Sequence, residues 1–229
     1  MYRIETPSAY HPTISRCGWL GAEAIMKYYT ACGYDAICVT DHYNRECFDY
    51  AEIDLTTPGS KTQAFLQGYH RLKKVSEKYN IRVYAGAELR FDESDNDYLL
   101  YGFHDALLAD PDRIMREGLA AFAPQYRADG ALLVQAHPFR KKCTPAPAEY
   151  LDGVEVLNLN PRHDSHNDLA LAYAKEHHLI MTAGSDCHRP GDQGTTGILS
   201  DTLPEDSFGL ADLLRSGNYT IIRPECTED

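Results

Sequence analysis

Short apolar runs alternate with stretches whose apolar positions recur at helical spacing along nearly the whole chain. Strand-like runs fall at Tyr2–Glu5, Ala36–Thr40, Ile81–Glu88, Asp97–Phe103, Leu132–Ala136, Gly153–Leu157, Leu179–Ala183 and Tyr219–Arg223. Between them the pattern predicts helices near Gly21–Cys32, Ser60–Tyr79, Asn167–His178 and Gly209–Ser216, and one running from Pro111 towards Tyr126. The stripe Phe65, Leu66, Tyr69, Leu72 and Val75 marks the buried face of the longest of these. Asp110-Pro111 reads as an N-cap followed by Pro at the first helical position, and Gly217 as the cap that ends the last helix. Alternation of this kind predicts a parallel α/β architecture. With no internal repeat or low-complexity linker, residues 1–229 are expected to form one domain.

Composition narrows the class. An apolar fraction of 43% supports a full core, and no run is long and apolar enough to suggest a membrane span. Met1-Tyr2-Arg3-Ile4 leads straight into a strand without a signal-peptide pattern, so a cytoplasmic location is expected. The formal charge of −12 argues against a nucleic-acid surface, which needs a basic face. It leaves room for a small phosphorylated substrate, because bound metal ions can dominate a local field. The seven cysteines are scattered without a CxxC pair, which fits free thiols in a reducing compartment.

The chemistry is concentrated at strand ends. Thr40-Asp41-His42, Gly86-Ala87-Glu88, Gly102-Phe103-His104, Ala136-His137-Pro138 and Gly184-Ser185-Asp186-Cys187-His188 each follow an apolar run. One His after a strand is more often a packing residue than a ligand. Five such ends carrying Asp, Glu and His in one chain form a constellation suited to zinc, iron or manganese, and α/β barrels collect their chemistry at strand ends on one rim. Asp186 and His188 lie two apart and can face one site in extended chain, whereas Asp41 and His42 cannot both do so, which favours His42. Pro138 stiffens the aim of His137. Arg140 and Arg162 are candidate phosphate clamps, with Arg45 a weaker third. His70, His177 and His178 sit in helical patterns and read as solvated, and His163 and His166 lie in a polar loop where a rim role is open.

These five strand ends, in this order, together with the closing Leu213-Leu214-Arg215-Ser216-Gly217-Asn218-Tyr219, resemble the PHP family, named for polymerase and histidinol phosphatase. The resemblance covers nearly the whole chain. It implies a distorted (β/α)7 barrel, TIM-barrel-like, with two and up to three divalent ions at the rim and hydrolysis of phosphate esters by metal-activated water. By the same resemblance Glu88, His104 and His137 form one metal site, His42 and His188 serve another, and Glu88 and Asp186 share a third.

The opening signature departs from the family's. Where two imidazoles are normally spaced His-x-His after the first strand, the chain reads Ile4-Glu5-Thr6-Pro7-Ser8-Ala9-Tyr10-His11-Pro12-Thr13. Pro7 takes the first position, and Ser8 or Ala9 the second, so the site implied for Glu88 and Asp186 is short of ligands. His11 is the favoured replacement, ahead of Glu5, which lies about 6–7 Å deeper along the strand, and of Cys17, more simply a small residue before Gly18. The expected function is a metal-dependent phosphoesterase acting on a small phosphorylated molecule. The alternatives are a catalytically impaired domain that binds metal or ligand without turnover, and a metal-dependent hydrolase of another bond.

Overall fold

A computed structural model of the chain describes residues 1–8, 20–50 and 60–223, with residues 7 and 8 described by their backbone alone. The strands are β1 (Tyr2–Ser8), β2 (Ala36–Val39), β3 (His42–Tyr43), β4 (Arg82–Arg90), β5 (Asp97–Tyr101), β6 (Leu132–Gln135), β7 (Gly153–Asn158), β8 (Ile180–Gly184), β9 (Gly197–Ser200) and β10 (Thr220–Ile222). The helices are α1 (Ala22–Ala31), α2 (Arg45–Tyr50), α3 (Ser60–Ser76), α4 (Pro111–Asp129), α5 (Asn167–Glu176) and α6 (Ser207–Ser216). Every strand and helix expected from the sequence is present within a few residues. Three elements were not anticipated: β3, α2 and β9, each too short to carry a periodic pattern. The expected caps hold, since the Asp110 side chain accepts from Arg113 N and Gly217 is left-handed at φ 67°.

The sheet runs in the order β10-β9-β1-β2-β4-β5-β6-β7-β8, with β3 beside β4. From β1 to β8 it curves into a nearly closed barrel, the distorted barrel that the sequence implies. Most neighbours are parallel, but β5 is antiparallel to both β4 and β6. Residues 91–96 are all that join β4 to β5, and a parallel crossover needs roughly a dozen residues or more. The chain therefore turns straight back, and β5 begins at the rim where its neighbours end. At the far end α6 covers the opening: Ser207 Oγ accepts from Ala85 N at 2.8 Å, and Tyr84 OH donates to Pro204 O at 2.7 Å. Leu210, Ala211, Leu213 and Leu214 of α6 pack with Ile4, Cys38, Leu99, Tyr101 and Val134 in one buried cluster. On β5 these alternate with Tyr98 and Leu100, which belong to the larger cluster with Phe122 and Tyr126 of α4, as strand geometry requires.

Side chains join β8 to β1. Thr6 Oγ1 donates to the carbonyl of Ala183, and Ser185 N donates to Glu5 Oε1 at 2.8 Å. Ser185 Oγ and Tyr29 OH also donate to Glu5 Oε2, at 2.7 and 3.2 Å. Glu5 is fully buried, and that burial pushes its pKa up to about 8 against the downward pull of these hydrogen bonds. Among the described residues no helix is long and apolar enough to cross a membrane. The described cysteines, Cys32, Cys38, Cys47, Cys143 and Cys187, are free thiols, as expected.

Two outcomes follow from the packing. A Cβ on Gly86 would lie 2.8 Å from Cys38 Sγ and 2.9 Å from Thr40 Cγ2, so Gly86→Ala should cost about 1–3 kcal/mol in urea unfolding. Because the folded chain holds the Glu5 proton up to about pH 8 and the unfolded chain releases it near 4.5, Glu5 favours folding at low pH and loses that contribution as pH rises through this window. In metal-free protein the stability of Glu5→Gln should therefore gain on wild type by a few kcal/mol between these pH values. Parallel stability curves would contradict the assignment.

Candidate active site

The rim where β2, β4, β6, β7 and β8 end carries the site. Glu88, near the end of β4, is buried and stands between two imidazoles: His42 Nδ1 lies 3.4 Å from Oε2, and His137 Nε2 lies 3.5 Å from Oε1. His42 reaches it because β3 pairs with β4 in a register that sets His42 opposite Glu88. His137 follows β6 with φ 30°, in the left-handed region that non-glycine residues seldom adopt. Its backbone N donates to Glu155 Oε2 at 3.0 Å, which holds that conformation.

Asp186 forms a second pole. It too is left-handed, at φ 49°. Its Oδ2 accepts from Arg140 Nη2 at 2.9 Å, its Oδ1 lies 3.3 Å from His188 Nδ1, and its backbone carbonyl faces the same imidazole nitrogen at 2.8 Å. Asn160 Nδ2 donates to that carbonyl at 3.0 Å. The His42 and His188 rings, 6.1 Å apart, bridge the two poles.

Electrostatics follow from burial and pairing. Burial opposes the charge on Glu88, but His42 and His137 outweigh it and hold the carboxyl below its ordinary range. Burial likewise opposes charge on Asp186, and His188, His137 and Arg140 hold its carboxyl well below the usual value. For His137 burial disfavours the imidazolium, yet Cys143 and Glu88 raise its pKa to about 10. Glu155, buried beneath His137, is pushed up to about 7 by desolvation.

The structure corrects one predicted ligand. His104 follows β5, and because β5 runs antiparallel its C-terminal end lies at the opposite rim, beside α6. There His104 is exposed, with its ring 4.8 Å from Phe208 and its Nδ1 3.2 Å from Asp129 Oδ1. The place beside Glu88 belongs instead to Asp97, the first residue of β5. His42, Glu88 and Asp97 each present one ligand atom within 4.8 Å of the others. Asp97 also accepts from Nε and Nη2 of Arg90, opposite it across β4 and β5, at 2.8 and 2.6 Å. The short β4–β5 connection was the signal for Asp97 in the sequence.

The other candidates separate in the same way. Arg140 lies inside the site. Arg162 sits on the rim and is forked onto Asp192 at 2.6 and 2.7 Å; Asp192 also accepts from His188 N at 3.0 Å. Arg162, Asn160, His163, His188 and Arg189 line a cavity of about 150 Å³. Arg45 is forked onto Asp92, away from the site. Glu5 serves the seam and is not at the rim. His11 and Cys17 lie outside the described residues. His70, His166, His177 and His178 are exposed. Unanticipated members of the site are Asp97, Glu155, Asn158, Asn160, Ser165 and Cys143, all polar residues whose role comes from tertiary placement.

A model of the family described as PHP-associated matches residues 164–216. PsfC from Pseudomonas syringae superposes with a TM-score of 0.70 at 18% identity, covering 98% of this chain and 93% of that one. A two-domain protein from Bacteroides vulgatus, containing a predicted PHP-like metal-dependent phosphoesterase, superposes at 0.67 with 14% identity, over 96% of this chain. The chain spans 64% of that protein's length. The chain shares the fold of these proteins. An amidohydrolase from Chromobacterium violaceum, with bound sulfate and no metal, shares the fold at a TM-score of 0.56 and 15% identity, over 99% of this chain and 100% of that one. No curated protein matches in sequence.

Whether these residues suit a metal ion is decided pole by pole. Around Glu88 two buried carboxylates and two imidazoles converge, and Arg90 offsets one of the negative charges, so the donor set fits one divalent cation. Accordingly, Asp97→Ala should weaken binding of Mn²⁺ or Zn²⁺ by about tenfold or more in equilibrium dialysis. His104→Ala should leave it unchanged, and the reverse pattern would restore His104 as the ligand.

Proposed function

We propose that the protein is a metal-dependent hydrolase that cleaves a phosphate ester of a small molecule. The observation that carries this reading is the buried Glu88 carboxylate flanked by His42 and His137, with Asp97 at the same rim. His42, Glu88 and Asp97, with His137 adjoining, would hold the ion. When bound, such an ion acts as a Lewis acid, making water more acidic and neutralising charge on phosphoryl oxygens.

The chain's own residues supply the rest. Arg140 brings a guanidinium to the inner edge of the site, held by Asp186, Asn158 Oδ1 at 2.8 Å and Ser165 Oγ at 3.3 Å, where it can pair with a phosphoryl oxygen. The basic cavity around Arg162, His163, His188 and Arg189 offers a second, outer place for an anion. Glu155, with its pKa near 7 and a hydrogen bond to His137 N, sits where it can store or release a proton beneath the site. His137 holds a proton up to about pH 10 in the metal-free chain, so an ion held in part by His137 would compete with that proton and bind better as pH rises.

A second reading is supported by Pro7, which stands where a ligating imidazole is expected. It is a PHP-type domain that keeps an ion or an anionic ligand without turnover. The fold of the amidohydrolase supports a third, hydrolysis of a carbon–nitrogen bond.

Glu88→Gln and His137→Ala separate these readings. Each should lose bound metal and lower manganese-supported p-nitrophenyl phosphate hydrolysis by about a hundredfold or more. Wild-type turnover in either variant, after chelation and metal add-back, would exclude the phosphoesterase assignment. Bound metal in wild type with no hydrolysis across a phosphate panel would favour the second reading.

A further inference from the structure

We infer that the guanidinium of Arg140 takes the place of a metal ion at Asp186, so that the site holds one divalent cation together with one fixed arginine charge. This rests on the metal-dependent reading only for the ion at Glu88.

The two poles of the rim differ in charge. At the first, Glu88 and Asp97 contribute two carboxylates and Arg90 one guanidinium, which leaves one negative charge when the imidazoles are neutral. A divalent cation is favoured there. At the second, Asp186 is paired with Arg140 at 2.9 Å, and the two charges cancel. An ion entering beside Asp186 would have to displace or face that guanidinium at short range in a buried setting, where repulsion is weakly screened.

The arginine is built in. Its Nη2 reaches three acceptors at once: Asp186 Oδ2, Asn158 Oδ1 and Ser165 Oγ. Asn158 is itself fixed, because its Nδ2 donates to Glu155 Oε2 at 2.9 Å and its backbone N to Asn167 Oδ1 at 2.9 Å. Ser165 and Asn158 are both buried. The anchoring engages a single nitrogen. Nη1 and Nε of Arg140 take no part in it.

A positive charge is thus retained at Asp186 as part of the polypeptide rather than as a bound ion. Arg90 on Asp97 does not have this effect, because Glu88 remains unneutralised beside it.

Native mass spectrometry and equilibrium dialysis of the full chain, titrated with Mn²⁺ or Zn²⁺ alone, test this. Wild type should bind one ion. Asp186→Asn should still bind one. Arg140→Met, which uncovers the Asp186 carboxylate and His188, should bind two. Should Arg140→Met fail to fold by circular dichroism, Arg140→Gln serves the same purpose, and the Asp186→Asn result stands by itself. Two or more ions in wild type, no bound ion in Asp186→Asn, or a single ion in the folded Arg140 variant would each overturn the inference. No ion in wild type would overturn both this and the phosphoesterase reading, whereas two ions would overturn this alone.

Discussion

The barrel depends on a seam made by side chains. Among the described residues β1 and β8 share no backbone ladder, yet they meet through the Thr6 hydroxyl on the Ala183 carbonyl and the Ser185 amide and hydroxyl on Glu5. A buried glutamate is costly unless its oxygens are hydrogen-bonded, and here Ser185 and Tyr29 satisfy them. This arrangement places Ser185 directly before Asp186, so the contact that closes the barrel also positions one pole of the site. It explains why Glu5 is unavailable as a metal ligand: its carboxylate is used to close the sheet.

The rim above that seam is organised by charge. Glu88, Asp97, Asp186 and Glu155 bring carboxylates into a space where water is largely excluded, and each is matched differently. Glu88 faces two imidazoles, Asp97 a guanidinium, Asp186 both a guanidinium and an imidazole, and Glu155 is pushed towards its neutral form. Burying charges without partners would cost far more than these pairings return, so the surrounding amides Asn158 and Asn160 are as much part of the site as the ionisable groups. The left-handed backbone at His137 and Asp186 belongs to the same economy. Strain of this kind persists where neighbouring contacts over-determine the conformation, and at both positions they do.

The cavity beyond His188 extends the site outward. Asp192 receives Arg162 and also the backbone amides of His188 and Arg189, so one buried carboxylate aligns the basic lining with the inner pole. The acidic balance of the whole chain, −12, coexists with a basic cavity at the rim.

Much of this was legible in the residues themselves. Period-two and helical patterns located the longer elements, Asp110-Pro111 and Gly217 marked helix ends, and Glu88, His42, His137, Asp186 and His188 stood out as polar residues at the ends of apolar runs. Direction was harder to read. His104 ends a strand as plainly as His137 does, and only the pairing of β5 against β4 and β6 sends it to the far rim while bringing Asp97 to the near one. The length of segment 91–96 held that information, since a chain that short reverses rather than crosses over. Contacts between residues distant in sequence were not legible at all: Arg140 on Asp186, Glu155 under His137 and Glu5 on Ser185 follow from barrel closure. Local sequence thus determined which side chains could act as ligands. Which of them meet was decided by the fold, because strand direction and register, set by long-range pairing, choose the rim on which each one emerges.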